Sequence, residues 1–381
     1  MGVFADVELD ELVLTTPRLT LRPWRRDDAE AVAEIMRGAD LGEFLALPDP
    51  YTLDDAIGFV TAIGGETRSA GTGLECAVVE TVSGQLVASA ALRLPRPRRL
   101  EAEVGYWVGR AYQGQGYAAE VTRALTDWAF AHGVSRVELF CAVRNLASAK
   151  TALNAGFRFE AVLHGHHPMR DGDPADSALF ARLPSDSGAP TPRAAVDLPG
   201  GGLSDGIVLL RVMAPGDEAG LGEQEADPVT RSWEFTAEPR TALEHRRLCA
   251  GAALQWLTGQ VMRCAIVDVE TGRYAGMISI RPAGPPQIGG IGYAVHPAFR
   301  GRGYTARALR LLTAWAFGEA DFARLELGAK VGNIASQKAA LAAGFERDGV
   351  RATRMRNPDG TFTDEARFAA LNPRHVQRDA G

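Results

Sequence analysis

One turn of this chain occurs twice, and that repetition constrains the fold more than any other feature. Residues 113–118 read Gln-Gly-Gln-Gly-Tyr-Ala and residues 300–305 read Arg-Gly-Arg-Gly-Tyr-Thr. Each follows a strand-like run, Glu101–Val108 in the first copy and Ile291–Val295 in the second. Each also opens a helix-like run. In the first helix Val121, Ala124, Leu125 and Trp128 fall at the spacing of one buried face. The second carries Leu311, Leu312, Trp315, Ala316 and Phe317 where the first has Ala124, Leu125, Trp128, Ala129 and Phe130. The offset is constant, 301 − 114 = 187 and 315 − 128 = 187. A chance turn would not bring its strand and helix along, so the period means a duplicated domain, not a short-repeat solenoid. Gly114 and Gly116 allow a tight turn and a close backbone approach. The first amides of the helix lack intrahelical partners and carry partial positive charge, which makes the turn a cradle for phosphate.

A length of 381 residues accommodates two ordinary domains. The expected division is 1–184, a linker at 185–203 rich in Pro, Gly, Ala and Ser, and 204–381. The second half replays the first. Val208-Leu209-Leu210-Arg211 answers Thr20-Leu21-Arg22, and Asp217-Glu218 answers Asp28-Ala29 as a helix opening. Strand, turn, helix and strand then recur, ending with Asn333–Ala342 for Asn145–Asn154. There the offset becomes 188 (333 − 145), so one residue was inserted after the long helix. The N-terminal helices of the halves match poorly, which is where a substrate-recognition region is expected to diverge.

Composition narrows the function classes. A net charge of −6 disfavours a general nucleic-acid surface. Cys76, Cys141, Cys249 and Cys264 form no C-x-x-C pair and read as buried thiols in a reducing compartment. Residues 1–11 show no basic-then-apolar leader pattern, and no run is long enough to span a membrane, so the expected location is the cytoplasm. His164, His166 and His167 cluster, but further metal ligands are missing. A surface loop bordering Asp173 and Asp176 is the favoured reading, and no metal is expected.

These motifs resemble the GNAT acetyltransferases. Gln113-Gly114-Gln115-Gly116-Tyr117-Ala118 fits the family pattern Arg/Gln-x-x-Gly-x-Gly/Ala, and Arg300-Gly301-Arg302-Gly303-Tyr304-Thr305 fits except for Thr305 at the last small position. Asn145-Leu146-Ala147-Ser148 with Gly156-Phe157 is similar to the Asn-x-x-Ser…Gly-Phe of the branch that includes the ribosomal-protein alanine N-acetyltransferases. Asn333-Ile334-Ala335-Ser336 with Gly344-Phe345 repeats it, and Thr16–Pro23 is typical of the same branch. The resemblance implies two tandem GNAT folds in an α/β (α+β mixed sheet) class, each a splayed mixed sheet flanked by helices. Acetyl-CoA would lie between strands Glu101–Val108 and Val137–Val143, and between Ile291–Val295 and Leu325–Val331.

The implied activity is transfer of an acetyl group from acetyl-CoA to a primary amine, on a small molecule or a protein N-terminus, by a monomer or homodimer with no nucleic-acid or membrane partner. Transfer of another acyl group, a hydroxyl acceptor, and a non-catalytic acyl-CoA-binding regulator are the alternatives. The expected cofactor ligands are Gln113, Gly114, Gln115, Gly116, Tyr117, Ala118 and Asn145, then Arg300, Gly301, Arg302, Gly303, Tyr304, Thr305, Asn333 and Ser336. A splay-facing amide near Trp107 or Val108, and near Ala294 or Val295, would polarise the thioester carbonyl. Glu103 is the candidate base, sharing a strand face with Gly105 and Trp107. Its competing reading is a solvated strand-end carboxylate. Ser148 is the candidate acid or a cofactor contact, against a purely local role at its helix start. The Tyr that many relatives carry on that helix is replaced here by Ala152. Gly290 stands where the first half has Glu103 (290 − 103 = 187), so the first half is expected to be the catalytic one and the second mainly a cofactor-binding or structural partner.

Overall fold

The computed structural model describes residues 9–37, 44–45, 47–63, 68, 72–96, 100–168, 174–193 and 195–376. It separates into two compact units, Met1–Pro192 and Arg193–Gly381. Along the expected linker, Thr191 donates its hydroxyl to Phe157 O at 2.8 Å in the first unit. Ala195 and Leu198 are buried in the second, where the Trp256 indole donates to Val196 O at 3.0 Å. The segment is thus anchored at both ends, each to its own unit.

The first unit carries β1 (Leu14–Thr15), β2 (Leu19–Arg22), α1 (Ala29–Arg37), α2 (Leu53–Gly58), β3 (Gly73–Glu80), β4 (Leu86–Arg96), β5 (Glu101–Val108), α3 (Tyr117–Ala131), β6 (Arg136–Ala142), α4 (Leu146–Asn154), β7 (Arg158–His167) and β8 (Ala175–Arg182). β1 and β2 form a tight hairpin, because Thr16 turns back to bond Leu19 through both its amide and its hydroxyl. α2 starts where Thr52 and Asp55 close a reciprocal capping box.

The second unit carries β9 (Gly202–Ser204), β10 (Val208–Val212), α5 (Glu218–Ala226), α6 (Pro228–Trp233), α7 (Ala242–Leu257), β11 (Met262–Asp268), β12 (Tyr274–Pro282), β13 (Ile288–Val295), α8 (Tyr304–Gly318), β14 (Arg324–Lys330), α9 (Ile334–Ala342), β15 (Glu346–Arg356) and β16 (Phe362–Leu371). α2 and α7 both open at a Thr capping box ahead of β3 and β11, but α7 runs 16 residues against 6 in α2, and α6 has no counterpart among the first unit's described residues, which accounts for the poor match of the N-terminal helices.

Each unit builds one eight-stranded sheet, and the two share one strand order, β1-β2-β3-β4-β5-β6-β8-β7 and β9-β10-β11-β12-β13-β14-β16-β15. Among the described residues, one pair in each sheet runs parallel, β5 with β6 and β13 with β14. Strand alternation puts Val104, Leu139 and Phe180 on one face with Leu125 of α3 and Phe157, all at most 2% exposed. Burying each such side chain stabilises the fold by about 1.5–3 kcal/mol. The opposite face carries Trp107, which packs with Trp24 and Phe59 at the α1–α2 side. One ion pair recurs in both units. Arg22 grips Asp28 with two bonds at 2.8 and 2.7 Å, and Arg211 grips Asp217 with the same pair of distances. Each bidentate clamp ties the first long strand of its sheet to the following helix start.

Candidate active site

The repeated turn adopts one geometry in both units. After β5, Gly109 N donates to Val87 O at 2.9 Å, a short helical turn follows at Arg110–Tyr112, and the Gln113 side chain donates back to Val108 O at 3.2 Å. Gly114 and Gly116 then take φ of 76° and 81°, and Gly301 and Gly303 take 74° and 75°. These are left-handed angles at which a Cβ is penalised, so the glycines are required by the backbone itself. The first partnered amide of α3 is Glu120 N on Gly116 O, and that of α8 is Arg307 N on Gly303 O, both at 3.1 Å. Before them, Gly114 to Ala118 and Gly301 to Thr305 supply the orphan donors of a helix start. A Cβ built at Gly114, Gly301 or Gly303 meets nothing within 4 Å, and one at Gly116 meets only the Arg18 guanidinium at 3.6 Å. The space in front of each turn is open, as a pyrophosphate seat requires.

Arg18 was not singled out from the sequence, although it lies within the quoted Thr16–Pro23 segment. Its guanidinium donates to Gln115 O at 3.0 Å, pairs with Glu120 at 2.6 Å and lies over the Tyr117 ring. It therefore brings a cation to the first turn. In the second unit Arg302 lies over the Phe299 ring, whereas Arg300 is turned toward Asp227 and Thr230. Tyr117 and Tyr304, the first residues of α3 and α8, tie down the turns by donating their phenols to Glu80 and Asp268.

The parallel strands part where a thioester would need room. β5 and β6 are in register at Glu101–Arg136, Ala102–Val137 and Glu103–Glu138, and β13 and β14 from Ile288–Arg324 to Ile291–Leu327. Beyond these pairs the ladder stops. Gly109 N points to β4, so strand alternation turns the amides of Trp107 and Gly105 toward β4 and those of Val108 and Tyr106 toward the gap. His296 N donates to Ala275 O, which by the same alternation leaves Val295 and Tyr293 facing the second gap and Ala294 facing β12. Val108 and Val295 are thus the gap-facing members of the two amide pairs expected from the sequence.

Tyr106 crosses from β5 to α4, where its phenol is hydrogen-bonded to the Ser148 hydroxyl at 2.9 Å. Tyr293 and Ser336 repeat the contact at 2.9 Å. Burial pushes the Tyr106 phenol well above its ordinary pKa, so it stays protonated. Ser148 N and Ser336 N donate to Asn145 Oδ1 and Asn333 Oδ1, both at 3.0 Å. The two asparagines therefore cap α4 and α9 and fix their serines beside the gap. The tyrosines were missed in the sequence, although their constant offset (293 − 106 = 187) was readable there.

Glu103 lies on the Trp107 face, beside Arg93 of β4 and Glu138 of β6 by register. Arg93 pairs with the buried Glu75, and Glu138 with Arg136. The three histidines lie not in a loop but on β7, held there by pairing with β8. His164 meets Asp176 at 2.9 Å, His166 stacks near Phe140 with its Nδ1 at 3.3 Å from the Ser177 hydroxyl, and His167 meets Phe44 O at 3.1 Å. These partners draw them apart, and no cluster fit for a metal occurs among the described residues. Asp173 and most of the Pro95–Arg99 loop lie outside the described residues. No described helix is long and apolar enough to cross a membrane.

With this geometry, residues 18–158 and 208–346 match the family model of the acetyltransferase (GNAT) domain. The chain is 25% identical over 173 residues to the uncharacterized N-acetyltransferase YoaA of Bacillus subtilis, covering 44% of this chain and 95% of that one. It is 33% identical over 88 residues to the ribosomal-protein-serine acetyltransferase of Escherichia coli, covering 23% and 49%. Among solved structures it resembles the microcin C7 self-immunity acetyltransferase MccE in complex with acetyl-CoA and AMP, with 20% identity, a TM-score of 0.41, and 44% and 93% coverage. The chain belongs to the GNAT acetyltransferase family, with one copy of the domain in each half.

Proposed function

We propose that this tandem GNAT acetyltransferase moves the acetyl group of acetyl-CoA to a primary amine, on a small molecule or at a protein N-terminus. The observation that carries the reading is the coupling of a left-handed glycine turn to a parallel strand pair that ends after Glu103 and Glu138. A diphosphate on the turn lets the pantetheine arm run along the opened edge of β5. Its thioester carbonyl then comes under the amides of Tyr106 and Val108. Those donors stabilise the charge that develops on the carbonyl oxygen.

An amine acceptor is favoured over a hydroxyl by Glu103 on the open face. An alkyl ammonium must shed a proton before it can attack, and a carboxylate near the acyl site takes it. On the other face the Tyr106–Ser148 pair is an uncharged donor for the departing thiolate. The name of the E. coli relative, which acts on a ribosomal protein, supports including peptides among the acceptors.

The test is release of free thiol from acetyl-CoA in the presence of primary amines and short peptides with free N-termini, with mass spectrometry of the product. Release that depends on an amine, with one acetyl group added to it, supports the reading. Calorimetric binding of acetyl-CoA with no release by any acceptor makes the protein a binder. Release with alcohols alone makes it an O-acyltransferase.

A further inference from the structure

The Glu365 carboxylate on β16 has a buried Oε2 with no hydrogen-bond partner among the described residues. Its carboxylate lies over Gly328, where a built Cβ would stand 2.0 Å from Glu365 Oε1 and 2.9 Å from Met355 Cε. Gly328 is the first residue of β14 beyond the last parallel pair, Ile291 with Leu327. By strand alternation it shares a face with Gly290 and Gly292 of β13. The second gap is therefore floored by glycine, with a carboxylate leaning over it from the far strand.

The first unit holds the same three positions in the opposite arrangement. Its β5 carries Glu103 where β13 carries Gly290, its β6 carries Phe140 where β14 carries Gly328, and its β8 carries Ser177 where β16 carries Glu365 (328 − 140 = 188; 365 − 177 = 188). Register agrees, since Ser177 pairs with Ala142 and Glu365 with Lys330, the residues two beyond Phe140 and Gly328. The three changes are sterically linked. A phenyl ring at 328 would occupy the space Glu365 uses, so the carboxylate can stand there only because β14 has a glycine. Across the strands Glu365 faces Lys330 and Arg351 by register. Lys330 is spent on Glu234 O and the Phe235 ring, and Arg367, two residues along β16, on Glu326 and Asp348.

We propose that Glu365 is the general base of the second unit, which makes that unit a second acetylation site. The inference rests on the proposed transfer to an amine. The acceptor ammonium gives one proton to Glu365, and its freed lone pair forms the C–N bond to the thioester carbonyl carbon. The C–S bond breaks with its electron pair on sulphur. The thiolate takes a proton from the Ser336 hydroxyl, which is refilled by the second proton as it leaves the acylated nitrogen to give the neutral amide, and Glu365 releases the first proton to water. The expectation of a second unit that mainly binds cofactor rests on Gly290 for Glu103 and Thr305 for Ala118, and neither position bears on a carboxylate supplied by β16. The carboxylate was not lost but moved to the other side of the gap.

The test uses the full chain and the same thiol-release assay with primary amines and free-N-terminus peptides. Gly116→Asp puts a negative charge on the first phosphate seat and leaves the second unit to act alone. In that background Glu365→Gln should lower turnover by roughly 100-fold, the scale of a lost general base, with acetyl-CoA affinity unchanged. Gly328→Ala, which removes no chemical group but displaces the carboxylate, should also lower it. In a Gly303→Asp background both changes should have no effect, which controls for general damage to the fold. The proposal is overturned if the Gly116→Asp protein binds acetyl-CoA but shows no turnover, or if its turnover survives Glu365→Gln. Both results leave the proposed function intact through the first unit. Absence of thiol release from the unmodified protein with every amine and peptide defeats the proposed function, and the second site with it.

Discussion

The phenol oxygen of Tyr106 stands 2.9 Å from the hydroxyl oxygen of Ser148, across the face of the gap opposite Glu103. Burial holds that phenol protonated, so it donates or relays a proton but carries no charge across the working pH range. With the second unit silenced by Gly303→Asp, Ser148→Ala should leave acetyl-CoA affinity near normal and lower first-unit kcat by roughly 10- to 100-fold, as loss of a proton donor does. Tyr106→Phe should lower it less, since Ser148 remains in place through the Asn145 cap. The alkaline limb of the pH–rate profile should be unchanged in Tyr106→Phe, because a phenol with a raised pKa does not titrate there. A Ser148→Ala enzyme with normal kcat leaves the serine with only its local role at the helix start.

Binding of acetyl-CoA is expected to raise thermal stability, because a ligand selective for the folded state stabilises it by mass action. At 100 times Kd the gain is about 2.7 kcal/mol, which for a unit of this size corresponds to roughly 5–10 °C. CoA alone should give a comparable rise, since the turn recognises the pyrophosphate and not the acetyl group. No shift with either ligand, together with no heat in calorimetry, would remove the cradle assignment.

The sequence made the strand, turn and helix around each cradle legible because their signals are local. The strand Glu101–Val108 matches its expected bounds to the residue. Gly114, Gly116, Gly301 and Gly303 were chosen for a freedom that their left-handed angles use. What stayed hidden lies across strands. The histidines were read as a loop because β7 is defined by its pairing to β8, which local pattern does not carry. Glu365 went unseen for the same reason. Its place above Gly328 depends on β16 inserting between β14 and β15, a non-consecutive pairing. The Tyr106 and Tyr293 pair is legible only as a constant offset of 187 and carries no local sign of its serine partner.

All four cysteines are buried, and burial pushes their thiols up, Cys76 to about 11 and Cys141, Cys249 and Cys264 to about 12. The thiolate is the reactive form, so a raised pKa leaves almost none of it at pH 8. A thiol-specific reagent at pH 8 should label the native protein negligibly and label all 4 cysteines after unfolding. Rapid labelling of any one in the folded protein contradicts the burial.

The last prediction concerns Glu103, and its clean test needs the second unit silenced first. Gly303→Asp is suited to that. Asp is among the side chains that best tolerate a left-handed position, and a Cβ there meets nothing within 4 Å, so the fold should survive. The new carboxylate faces the phosphate seat and should repel the diphosphate. In this background Glu103→Gln keeps the shape of the side chain beside Arg93 and removes its ability to take a proton. First-unit kcat should fall by roughly 100-fold near pH 7, with acetyl-CoA affinity unchanged. The loss should shrink as pH rises. An α-amine titrates near 7.7–8.0 and a lysine amine near 10.4, so free amine becomes abundant without help from a base. The deficit should therefore vanish at lower pH for a peptide N-terminus than for a lysine-like amine. A loss that is constant across pH assigns Glu103 to holding the strand edge, and no loss at any pH removes it from the chemistry.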